Sequence, residues 1–120
     1  MEIELILPYP MALSVNNIWL HSKRGTYLNP KVAAYRKEVW SICACKGKFY
    51  NEDIRIDVKM FPTRKSCDID NILKTILDAL QYANIYDNDN QVKLLTVERF
   101  EPVVGGRIEV KLSSSCFKNE

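Results

Sequence analysis

Two groups of acidic residues carry the chemistry open to this sequence. The first is Asp68-Ile69-Asp70-Asn71, with Lys74 and Asp78 at four and eight residues beyond Asp70. The second is Asp87-Asn88-Asp89-Asn90, a short way downstream. Residues four apart on a helix stack on one face, about 6 Å apart along the axis, so Asp70, Lys74 and Asp78 line the side opposite an apolar stripe. Asp68 would stand roughly 200° around from Asp70 if both were helical, so the two converge on one ion only if Asp68 sits at the helix cap. If Asp89 joins them, three carboxylates crowd together. Two unit charges ~5 Å apart repel by roughly 3 kcal/mol at an effective dielectric of 20, which a divalent cation relieves. Oxygen-only ligands favour Mg²⁺ or Mn²⁺ over zinc, and such an ion with open positions for water and phosphate suits phosphodiester cleavage.

Plainer readings compete for the same residues. Asp is a favoured N-cap, acidic residues in a first turn complement the helix dipole, and Asp70–Lys74 is a favourable surface pair. That account leaves the second cluster unexplained. Asp87, Asp89, Gln91 and Glu98 match positions 1, 3, 5 and 12 of a calcium loop, but position 6 is Val92 where the sharp turn needs Gly.

The elements that must position these groups can be read from the pattern. Residues 2–7 alternate as a strand ending at Pro8, and residues 8–17 are expected to be irregular. Ile18 to His21 and Thr26 to Leu28 flank Ser22-Lys23-Arg24-Gly25 as a short hairpin with a basic tip. Asn29-Pro30 opens a helix that carries Val32, Tyr35, Val39, Ile42 and Cys43 and ends before Gly47. Ile54 to Met60 alternate strictly, as in a half-buried strand. A second helix runs from Asp68 to about Ala83, with Ile69, Ile72, Leu73, Ile76, Leu77 and Leu80 on one face and Asn84 as its stop. Val92 to Phe100 and Arg107 to Leu112 follow as strands, joined by a hairpin turn at Gly105-Gly106. The expectation is one small α+β domain over residues 1–120, with a mixed sheet, two main helices and a loose tail at 113–120. Trp19 and Tyr27 are expected in the core or at an interface.

Composition sets the class. The chain has 120 residues, is 47% hydrophobic and 27% charged, and fits a single folded domain. Residues 1–66 hold 11 Lys/Arg against 6 Asp/Glu, net +5, and residues 67–120 hold 6 against 9, net −3. Such a split suits a protein that grips phosphates in one place and a metal ion in another. Cys43, Cys45, Cys67 and Cys116 form no C-x-x-C, and His21 is the only histidine, so zinc and disulfides give way to reduced thiols. Acidic Glu2 and Glu4 with Pro8 and Pro10 do not resemble a signal peptide, and no run approaches the ~20 apolar residues of a membrane span. A cytoplasmic protein with no membrane contact is expected.

Taken in order, Asp68-x-Asp70-Asn71-x-x-Lys74-x-x-x-Asp78-x-Leu80 and then Asp87-x-Asp89-x-Gln91-Val92 resemble the central signature of the RusA family of Holliday-junction resolvases. Leu7-Pro8-x-Pro10, Ser14-x-Asn16-x-x-Trp19, Gly25-x-x-Tyr27-Leu28, Tyr35-Arg36 and Gly105-Gly106-Arg107 extend the likeness from about Leu5 to Leu112. The resemblance implies a homodimeric endodeoxyribonuclease of small α/β fold, often encoded by phages or prophages, that places paired nicks across four-way junctions in DNA recombination and repair. It implies Asp68, Asp70 and Asp89 as Mg²⁺ ligands, with Mn²⁺ as a substitute. Lys74 would be required for cleavage, and Asp78 and Asn71 would support these groups. Arg64, Lys65, Lys23 and Arg24 would hold phosphates. Two positions depart from the family: Cys67 precedes Asp68 where a basic residue is common, and Asn88 stands where some members carry a further acidic residue. A catalytically silent junction-binding protein and another metal-dependent phosphoesterase are the alternatives. D-x-D also serves nucleotide-sugar transferases, but those need a domain for which 120 residues leave little room.

Overall fold

The computed structural model describes residues 1–10, 18–65 and 69–114, with the side chains of 69–71 outside the description. The elements, in chain order, are β1 (Glu2–Leu7), β2 (Trp19–Ser22), β3 (Gly25–Leu28), α1 (Pro30–Cys43), β4 (Ile54–Phe61), α2 (Ile69–Tyr82), β5 (Val92–Arg99) and β6 (Arg107–Ser114). A single 3-10 turn, Asp89–Gln91, leads into β5. Strands β1, β6, β4 and β5 form one mixed sheet in that order, and β2 and β3 pair separately. No helix among the described residues is long and apolar enough to cross a membrane.

Period-two alternation decides which face of the sheet is covered. Ile3, Leu5 and Leu7 of β1, Ile54, Ile56, Val58 and Met60 of β4, and Ile108, Val110 and Leu112 of β6 are all buried. Against them pack Val32, Tyr35, Val39 and Cys43 of α1 and Ile72, Ile76, Ala79 and Leu80 of α2. Truncating a fully buried residue such as Leu80 to Ala in such a core costs on the order of 2–5 kcal/mol. Asn29 caps α1 as expected, its Oδ1 accepting from the Lys31 amide at 3.0 Å, with Pro30 next in the first turn. Asn84 stops the chain after α2 at φ +63°.

The sheet order corrects one expectation. Gly105 and Gly106 do turn the chain, at φ +78° and +66°, but they do not join a paired hairpin. β5 runs parallel to β4, while β6 lies antiparallel on the other side of β4. The seven residues 100–106 step over the end of β4 and are pinned there. The Phe100 amide donates to the Met60 carbonyl at 2.8 Å and the Val103 amide to the Pro62 carbonyl at 2.9 Å. The physical reason is burial: β4 alternates four buried apolar residues and takes a central place, which splits the two strands that follow it.

Two smaller expectations also change. Strand β6 continues to Ser114, with Ser113 opposite Glu2 and Ser114 opposite Ile54, so the proposed loose tail does not begin at 113. Residues 115–120 lie outside the described residues. Trp19 and Tyr27 are not in the core of the single chain, being 55% and 46% exposed on opposite faces of the small hairpin.

Candidate acidic site

The chain runs β4, then α2, then β5, with β4 and β5 parallel, so α2 is the crossover between neighbouring strands. One turn of α2 and the segment that follows it meet around a cavity of about 310 Å³. Leu73, Lys74, Leu77 and Asp78 line it from the helix, and Tyr86, Asp89 and Val92 from the returning chain. Three of the residues singled out by sequence, Lys74, Asp78 and Asp89, are thus brought together. Asp70 belongs to the first turn of α2, one turn before Lys74 in the chain. Asp68 lies outside the described residues, as does Cys67, and the side chains of Asp70 and Asn71 are likewise outside.

Within the cavity, Lys74 Nζ lies 3.3 Å from Asp78 Oδ2, with the Lys74 side chain 60% exposed and that of Asp78 half-buried. Asp89 is exposed and opens the 3-10 turn. Tyr86 forms part of the wall, its hydroxyl donating to the Leu77 carbonyl at 3.1 Å. Burial pushes that phenol to lose its proton well above the usual range, and the negative charges of Asp89 and then Asp78 push it further. Leu73 and Leu77 share the cavity with Lys74 and Asp78, so the acidic face borders the apolar stripe instead of lying opposite it.

Among the described residues no three His, Cys, Asp or Glu side chains gather as a metal site. The donors present still suit a hard divalent cation: the carboxylate oxygens of Asp78 and Asp89, beside the Lys74 ammonium. Cys43 is buried, with its thiol pushed up to about 11 by burial, partly offset by Lys46, and Cys45 is exposed; neither is paired. The calcium-loop reading fails, because strand β5 follows the loop where a helix should stand.

The basic residues fall outside the cavity. Lys23 and Arg24 form the exposed tip between β2 and β3. Arg64 and Lys65 are exposed on the connection from β4 to α2. A larger concavity of about 760 Å³ covers the open face of the sheet, but it is a different environment. Within it Arg55 Nε lies 3.0 Å from Asp57 Oδ2.

Two residues that shape the acidic loop were not singled out for that role by sequence. Lys48 Nζ pairs with Asp87 Oδ1 at 2.7 Å. Gln91 is buried, and its Oε1 accepts the amides of Asp87 and Asn88 at 2.8 and 2.9 Å. Periodicity cannot mark a buried glutamine at the mouth of a strand. The only cue is a polar residue directly before the run Val92 to Val97.

A family model described as endodeoxyribonuclease RusA matches residues 8–113. The chain is similar to the crossover junction endodeoxyribonuclease rusA of Enterobacteria phage HK97, 32% identical over 115 residues that cover 93% of this chain and 94% of the relative. It is 30% identical over 114 residues to the protein of the same name from Enterobacteria phage 82, covering 91% and 92%. The crossover junction endodeoxyribonuclease RusA of Escherichia coli K12 is 31% identical over 113 residues, with the same coverage.

Proposed function

This chain belongs to the RusA family of endodeoxyribonucleases, and from that premise we propose that it resolves four-way DNA junctions by paired nicks in a reaction that needs a divalent cation. The observation that carries the reading, given the family, is the meeting of Lys74, Asp78 and Asp89 from two chain segments in one cavity. Asp68, Asp70 and Asp89 would hold the ion, Mg²⁺ with Mn²⁺ as a substitute, through hard carboxylate oxygens. When bound, such an ion lowers the pKa of a coordinated water and offsets charge developing on a phosphate. Lys74 presents its exposed ammonium to the scissile phosphate. Asp78 would hold that ammonium near the cavity, and Asn71 would support the metal ligands. Arg64, Lys65, Lys23 and Arg24 make contacts to phosphates that do not depend on base sequence.

The deciding experiment incubates the protein with a synthetic four-way junction and with a matched linear duplex, each with and without Mg²⁺. Paired nicks in the junction alone, and only with Mg²⁺, are expected. Equal cutting of the duplex would remove junction selectivity. Tight junction binding with no cleavage in either Mg²⁺ or Mn²⁺ would leave a silent binding protein.

The working form is proposed to be a two-fold homodimer acting on cytoplasmic DNA. A junction offers two symmetry-related strands, and a closed dimer presents two equivalent sites to them. Sedimentation of the protein with and without junction is expected to give a dimer in both. A monomer that still cut both strands would overturn this.

A further inference from the structure

Three polar residues are buried among the described ones: Asn29, Thr75 and Gln91. Asn29 is explained as the cap of α1. Gln91 does something else, because its amide joins two distant stretches of chain. On one side Oε1 accepts from the Asp87 and Asn88 amides. On the other, Nε2 donates to the carbonyls of Phe49 and Glu52, both at 3.2 Å. A primary amide has two donor hydrogens and two acceptor sites, and here all four are used. Turning the amide over would set NH₂ against two N–H groups and oxygen against two carbonyls, so its orientation is determined.

Phe49 is itself firmly placed: it is fully buried, and its amide donates to the Ile85 carbonyl at 2.8 Å. Gln91 therefore ties the peptides of Asp87 and Asn88 to the core, and Asp89 is the next residue. A fully satisfied buried polar group specifies one arrangement where an apolar side chain would allow several. We propose that Gln91 is the positioning residue for Asp89, holding the loop so that this carboxylate stands in the cavity with Asp78 and Lys74 and thereby setting the site's affinity for its divalent cation. This rests on the reading of Asp89 as a metal ligand.

Calorimetric titration of the full-length protein with Mn²⁺ alone tests it, with thermal melting alongside. Gln91→Met keeps the volume and removes all four hydrogen bonds. Groups behind a metal ligand typically affect affinity by about 10–100-fold, and these bonds act through backbone, so a loss of about tenfold is expected. Gln91→Glu keeps the oxygen that accepts from Asp87 and Asn88 and should lose less. In an Asp89→Asn background, Gln91→Met should weaken Mn²⁺ binding no further, because its effect runs through that carboxylate. If Gln91→Met does not fold, Gln91→Asn, one methylene too short to span both stretches, is expected to show the same tenfold loss. A folded Gln91 variant with unchanged Mn²⁺ affinity, or additive losses in the double variant, would overturn the proposal. Unchanged affinity in Asp89→Asn alone would instead remove the ligand assignment on which it stands.

Discussion

Replacing Lys74 with Ala separates a structural role from a chemical one by size. Its ammonium lies 3.3 Å from Asp78 at i, i+4, on a side chain that is 60% exposed. Exposed helix pairs of this spacing contribute about 0.3–0.5 kcal/mol, and Lys N-terminal to the acid is the weaker order. For a domain of this length such a loss lowers Tm by no more than about 2 °C. If the ammonium instead stabilises charge on the phosphate in the transition state, its removal lowers the rate ~10²–10³-fold, or about 2.7–4 kcal/mol. The two magnitudes do not overlap. Single-turnover cleavage of a fixed junction at saturating Mg²⁺, read beside a melting curve, should show a large rate loss with almost no change in Tm. Asp78→Asn serves as the companion, since it removes the pair but leaves the ammonium, and its rate loss should be much smaller. Full activity of Lys74→Ala at saturation, with only the Mg²⁺ midpoint moved, would refute the reasoning and make Lys74 part of the ion's environment.

Asp68→Asn, Asp70→Asn and Asp89→Asn should each abolish cleavage while junction binding, measured by gel shift, stays equal or tightens; near-normal turnover in any of them would remove that residue from the ligand set. Gly106→Ala should be more destabilising in urea than Gly105→Ala. Both demand a left-handed backbone, worth about 1–2 kcal/mol, but only at Gly106 would the new Cβ lie 2.9 Å from Tyr9 Cβ, whereas Gly105 faces open space; equal costs would mean that Tyr9 yields freely. Burial raises the pKa of Tyr35 and Tyr86 above 10.0 and that of Cys43 from 9.0 to about 11, so the folded state favours their neutral forms. The stability they contribute is complete below about pH 9 and is lost as pH climbs through the folded-state values; a Tm that stays flat to pH 11, or that is unchanged in steepness by Tyr35→Phe and Tyr86→Phe, would contradict this.

Where one face of an element is buried, the sequence announces it. The alternation in β1 and β4, the Asn29-Pro30 start of α1 and the stripe on α2 all appear where the pattern puts them. Strand pairing is less legible. Gly105-Gly106 has the chemistry of a hairpin turn, but turn chemistry does not say whether a third strand lies between the two that the turn connects. The acidic residues were legible from their type and spacing; Asp78 and Lys74 line one cavity with Asp89, while the expected convergence of Asp68 and Asp70 on Asp89 falls on side chains outside the described residues. Gln91 was visible only as a letter in a motif. Its role depends on carbonyls 42 and 39 residues away, which no local pattern encodes. Of the two places expected for Trp19 and Tyr27, the core of the single chain does not hold them: both are exposed among the described residues.

Charge shows most directly how folding rearranges a linear reading. The halves of the chain carry +5 and −3, yet the sheet interleaves them. Lys59 of the first half stands between Glu109 and Glu98 of the second, and Asp57 stands opposite Lys111. Arg107 pairs with Glu109 at 2.8 Å and Lys111 with Glu2 at 3.5 Å on the same open face. A surface on which neighbouring strands alternate in sign presents no net field to a polyanion, however many basic residues it holds. Lys23, Arg24, Arg64 and Lys65 differ because they lie on turns, beyond the reach of cross-strand partners, and none of them enters an ion pair among the described residues. Arg64 and Lys65 also lie four and three residues before Asp68. On the proposed reading, the chain delivers phosphate contacts and metal ligands consecutively, so a backbone held by the first is presented to the second.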